Sequence, residues 1–172
     1  MFGDLHIHMI LDGVYYRAAI DAQKEHPLDG LVRARLSDYQ ARGVCLLRDG
    51  GDAWGVSLRA RELAGEYGID YRSPAFPIYR RGHYGAFIGR GFDTEDEYRA
   101  LLDEAGEKRA DFLKLMISGL IDFDHFGVLT EPGPEPQDIR RMIELAHAAG
   151  FAVMAHANGD RAVMAALQAG VD

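Results

Sequence analysis

The chain is poor in cysteine, in basic charge and in long apolar runs. Cys45 is the only cysteine of 172 residues, so no intrachain disulfide can form, which fits a reducing compartment. No stretch reaches the roughly 20 apolar residues that a helix needs to cross a bilayer, and no basic segment leads into an apolar one at the N-terminus. A cytoplasmic protein is expected. Nineteen Lys and Arg face 27 Asp and Glu, a formal charge of −8, which argues against nucleic-acid or membrane partners and for a small substrate. Phosphate-binding glycine motifs are missing as well: the glycines between Tyr79 and Gly91 lack the Gly-x-Gly-x-x-Gly spacing, and no Gly-Lys-Ser/Thr follows.

What is present is core. At 48% hydrophobic the chain can bury an interior, and residues 1–172 read as one domain. Short apolar runs alternate with loops and longer stretches of helical spacing, the pattern of an α/β fold with a parallel sheet covered by helices. Five such units are predicted. Their strands run from Asp4 to Ile10, Val44 to Arg48, Tyr71 to Phe76, Asp111 to Gly119 and Phe151 to Ala155. Helical spacing covers Tyr15 to Lys24, Leu28 to Ala41, Ala53 to Tyr67, the stretch from a Thr94/Glu97 capping box to Arg109, Gln137 to Ala149, and Arg161 to Ala169. Gly170-Val171-Asp172 reads as entry to a sixth strand.

Chemistry concentrates at a few positions. In Asp4-Leu5-His6-Ile7-His8, strand alternation turns both imidazoles to one face, where they can serve one metal ion; the plainer reading is a half-exposed strand with hydrated histidines. Lys114 lies mid-strand among apolar residues, so its ammonium must be paired, neutralised or modified, and pairing or snorkelling is the ordinary outcome. His156 ends the fifth strand. Arg80, Arg81 and Arg90, in a glycine- and aromatic-rich loop, have the fork geometry for a substrate carboxylate, or else decorate a mobile surface loop. Asp122, Asp124 and His125 lie in the loop after the fourth strand.

In this order on a βα repeat, His6-x-His8, Lys114 and His156 resemble the amidohydrolase superfamily of metal hydrolases. The segments Asp4–His8, Phe112–Gly119 and Ala146–Asp160 are similar to its dipeptidase and imidazolonepropionase-like branch. The resemblance implies a (β/α)8 amidohydrolase-type barrel with its site at the C-terminal ends of the strands, here incomplete with about five βα units. It implies that His6 and His8 bind one metal, that Lys114 carries a carbamate bridging two, and that His156 binds the second. The cofactor would be one or two divalent ions, zinc foremost. Such an enzyme cleaves an amide or cyclic amide C–N bond of a small substrate by a metal-bound hydroxide. Asn158 and His83 are further candidates for substrate contact; His147 reads as a capping or surface residue.

A barrel of this kind takes about 250 residues. The expectation is therefore an N-terminal part, truncated before strand six, with the general base beyond Asp172 and inactive alone. Exposed strand edges would then favour self-association or pairing with a missing C-terminal half. The alternatives are a non-catalytic partial barrel that binds metal or a partner subunit, and a doubly wound α/β domain unrelated to metal chemistry, with ligands at its topological switch point.

Overall fold

The computed structural model describes residues 2–172. They form two compact units, Met1–Phe76 and Pro77–Asp172, each with its own parallel sheet. Neither sheet closes into a barrel. No helix among the described residues is long and apolar enough to cross a membrane.

The first unit orders its strands β1 (Phe2–Ile7), β2 (Val44–Asp49) and β3 (Asp70–Arg72), all parallel. Asp4 pairs with Leu47 and Ile7 with Asp49, so three residues of β1 advance against two of β2 and the ladder slips beside His6. Helices α1 (Tyr16–Asp21) and α2 (Asp29–Ala41) connect β1 to β2, and α3 (Val56–Ala64) connects β2 to β3. The core is built from Leu47 of β2, Val32 and Leu36 of α2, and Val56 and Ala60 of α3, none of which has exposed surface.

The second unit orders its strands β5 (Arg90–Phe92), β4 (Pro77–Arg80), β6 (Leu113–Met116) and β7 (Val153–His156), again all parallel. Helices α4 (Glu95–Glu107), α5 (Pro136–Ala148) and α6 (Gly159–Gln168) complete it. Thr94 caps α4 as its sequence predicts, its hydroxyl accepting from Glu97 N at 3.2 Å, while Glu97 reaches back to Asp93 N. Tyr98 of α4 is 1% exposed and donates its hydroxyl to the Met142 carbonyl of α5, giving a buried phenol its partner. β6 sits between β4 and β7 and is buried along its whole length, hence its unbroken apolar run.

The strand expected over Tyr71 to Phe76 is cut short. Its ladder ends at Arg72, Pro74 interrupts it, and Ala75 takes a left-handed φ of 65° that a non-glycine residue adopts at a cost of about 1 kcal/mol. A new strand starts at Pro77 in the other sheet, and β5 pairs with it from inside the segment that reads as a loop. Pro77 stands first in β4, the strand position that tolerates an imino nitrogen. Pairing partners, invisible in local composition, made these strands.

Candidate functional site

In the first unit His6 and His8 converge: their ring centroids are 5.5 Å apart. His6 is exposed at the end of β1 and His8, just past it, is half-buried. His8 Nδ1 lies 3.0 Å from the Gly51 carbonyl oxygen. A carbonyl can only accept, so the hydrogen is on Nδ1 and the lone pair on Nε2. His8 also borders a cavity of about 330 Å³ that reaches Leu11, Asp12, Arg35 and Tyr39.

In the second unit Lys114 and His156 occupy neighbouring strands. Lys114 is paired with Met154, and Met116 with His156, so the two-residue period puts Lys114 and His156 on one face of the sheet. Lys114 has no exposed surface. Burial, opposed by the Gly119 carbonyl and assisted by the Lys114 charge, holds the His156 imidazolium below its ordinary range, so the ring is neutral at pH 7. Nε2 of His156 is 3.3 Å from Gly119 O and 3.1 Å from Asn158 Nδ2, which itself donates to Gly119 O at 2.9 Å. Both tautomers of His156 therefore have a partner. Asn158 N donates to Ser118 Oγ at 2.7 Å, tying the loops after β6 and β7 together, and the Tyr84 ring lies at a tilt of 38° with its centroid 5.1 Å from that of His156.

The structure thus gathers the four expected ligands into two pairs, one in each unit. Among the described residues no group of three or more His, Cys, Asp and Glu side chains is placed to hold a metal ion. The donor set nonetheless fits the expected ion in kind: two neutral-capable imidazoles at one strand end, and a buried amine beside a neutral imidazole at another. The arginines expected to meet a substrate carboxylate have protein carboxylates instead. Arg80 meets Asp138, Arg81 meets Asp93 and Glu97, and Arg90 meets Glu104. His83 is held by Glu131 at 3.0 Å, and that carboxylate also accepts from Tyr84 N and Gly133 N. Asp122 closes a local turn by accepting from Asp124 N and from His125. Residue order showed Asp49-Gly50-Gly51-Asp52 as a turn after the second strand and Ser118 within the fourth, but gave neither a role; the available signal was an Asp-Gly-Gly-Asp run directly after a strand, where such folds build their sites.

No family model matches the sequence, and no curated protein matches it either. Solved structures do share the fold. A Xaa-Pro dipeptidase with methionine bound in its active site superposes with a TM-score of 0.69 at 17% identity, covering 98% of this chain and 46% of its own. The ochratoxinase of A. niger gives 0.71 at 19% identity, covering 98% and 45%. Phenylurea hydrolase B gives 0.69 at 16% identity, covering 96% and 44%. This chain therefore shares the α/β fold of part of each of these structures and spans a little under half of their length.

Proposed function

We propose that this chain carries part of the active site of a metal-dependent hydrolase that cleaves an amide or cyclic amide C–N bond of a small molecule. His6 and His8 in the first unit, and His156 with a carbamate on Lys114 in the second, would serve as ligands to one or two divalent ions, zinc foremost. The carrying observation is Lys114: a lysine without exposed surface, second of the four residues of a central parallel strand, on the same sheet face as His156. A buried ammonium is costly there. Carbamate formation answers that cost, since the amine nitrogen bonds to the carbon of CO2 and one proton is released, leaving an anionic oxygen donor. A divalent ion, when bound, polarises a carbonyl oxygen and ionises water near neutral pH.

The chain's own residues supply orientation. His8 offers Nε2 because Nδ1–H is committed to Gly51 O. Asn158 and Gly119 hold the His156 ring in position, and burial keeps it neutral. The likeness of fold to a dipeptidase and a phenylurea hydrolase supports attack at an amide-type carbonyl.

The test is metal content together with 13C NMR after incubation with labelled bicarbonate. About one to two zinc ions per chain, reduced by His6→Ala, and a carbamate resonance absent from Lys114→Met, are expected. A chain that takes up no divalent ion under any condition overturns the reading. The second reading, a non-catalytic module that binds an ion or a partner, is favoured by the absence of any three-donor His, Cys, Asp or Glu group among the described residues; bound zinc without turnover of any amide would select it.

A further inference from the structure

The turn between β2 and α3 is built more heavily than a connection requires. Asp49 has no exposed surface, and its carboxylate accepts from Met9 N at 2.9 Å, from Gly51 N at 2.6 Å and from the Tyr71 hydroxyl. Asp52 is 2% exposed and accepts from Trp54 N, Val56 N and Ser57 N, capping α3. Two buried carboxylates within one four-residue turn repel each other and lose their hydration, an arrangement that persists only when their hydrogen bonds are in place. Those bonds fix the path of Gly50 and Gly51 between them. Gly51, at φ +80°, packs so closely on the next segment that a Cβ would stand 2.9 Å from Phe76 Cα.

His8 is what this turn holds. A Cβ on Gly50 would lie 2.3 Å from Cε1 and 2.6 Å from Nε2 of His8, so the imidazole sits where only a glycine leaves room for it. Its edge meets the Gly51 carbonyl through Nδ1. The Met9 amide one residue later is pinned by Asp49.

We propose that Asp49-Gly50-Gly51-Asp52 is a preformed seat that sets the ring plane and tautomer of His8, with Gly50 as its floor and Asp49 and Asp52 as positioning residues. Free histidine in water favours hydrogen on Nε2; the seat inverts that preference and puts the ring's lone pair on Nε2 before any ligand arrives. Selecting the tautomer and rotamer in advance removes an ordering cost from binding. The use of that nitrogen for a cation rests on the function proposed above, whereas the seat is a property of the protein alone.

Long-range 1H–15N correlation of the imidazole rings tests it, on metal-free protein at about pH 8, above the ordinary histidine range. His8 is assigned by the signal lost in His8→Asn. The wild type is expected to show hydrogen on Nδ1 of His8. Gly50→Ala, whose backbone needs no left-handed φ, is expected to abolish that pattern and to weaken zinc binding about 10- to 100-fold. Asp49→Asn, which removes one acceptor oxygen without adding bulk, is expected to shift the pattern toward a mixture. Hydrogen on Nε2 in the wild type, or an unchanged His8 pattern in both variants, overturns the proposal. Hydrogen on Nδ1 in a wild type that takes up no zinc leaves the seat standing and removes the hydrolase reading.

Discussion

The two units secure their chemistry-bearing side chains by opposite means. In the first, the imidazoles stand at the end of a strand whose Phe2 and Leu5 are 68% and 56% exposed, so the orientation of His8 comes from a hydrogen bond to a turn. In the second, Lys114 lies in a strand buried along its length, so orientation comes from packing. A seated group can be released by one added methyl. A packed group moves only if the core around it moves.

The contrast is broken most strongly by truncating each strand. Leu115→Ala removes a side chain without exposed surface from β6 and should cost about 2–5 kcal/mol, whereas Leu5→Ala on β1 should change stability by no more than about 0.5 kcal/mol. Urea unfolding of both variants measures the difference; an equal loss would mean that β1 is covered in solution.

The next effect is in pH. Burial, then the charge of Asp49, pushes the Asp52 carboxyl up to about 6, whereas an aspartate in an unfolded chain titrates near ~3.9. The folded state therefore holds that proton more tightly. The resulting stabilisation is complete below about pH 4 and is lost as the pH rises through about 6, amounting to about 3 kcal/mol over the interval. Asp52→Asn should lack this slope, and unfolding midpoints across that range read it directly. The second unit has the opposite case on its surface: Arg141 first, and Arg99 next, draw the Glu95 carboxyl down to about 2, so its contribution is present at neutral pH and lost toward strong acid.

Lys114→Met should separate chemistry from packing. A side chain of similar volume without charge in a fully buried site is expected to change stability by less than about 1.5 kcal/mol in either direction, while the carbamate resonance disappears. A loss of several kcal/mol would mean that the amine serves the fold of this unit rather than a ligand. The smallest effect belongs to α4: Thr94→Ala should cost about 1 kcal/mol through loss of the cap to Glu97 N, seen as faster amide exchange confined to the first turn.

Much of this was legible in residue order. Periodicity located β2, β6 and β7 within two or three residues of their ends, and the capping pair at Thr94 and Glu97 began α4 where expected. His6 and His8 were legible as a pair because neighbours two apart on a strand share a face. β4 and β5 were not, since glycine and arginine composition describes the segment between them and says nothing of the ladder that pairs them. The arginines of that segment read as substrate contacts because their partners Asp138 and Glu104 are distant in sequence.

The sequence by itself determined the alternation of strand and helix, the pairing of His6 with His8, and the presence of a lysine where only apolar residues belong. These follow from periods of two and 3.6 residues and from the transfer cost of a charge, all of which act locally. Only the tertiary structure decided that the strands divide between two parallel sheets, that Lys114 shares a face with His156, and that a turn of two buried aspartates and two glycines carries His8. Each of those depends on which distant backbone arrives alongside, and a hydrogen bond across 40 residues leaves no mark on either of its ends.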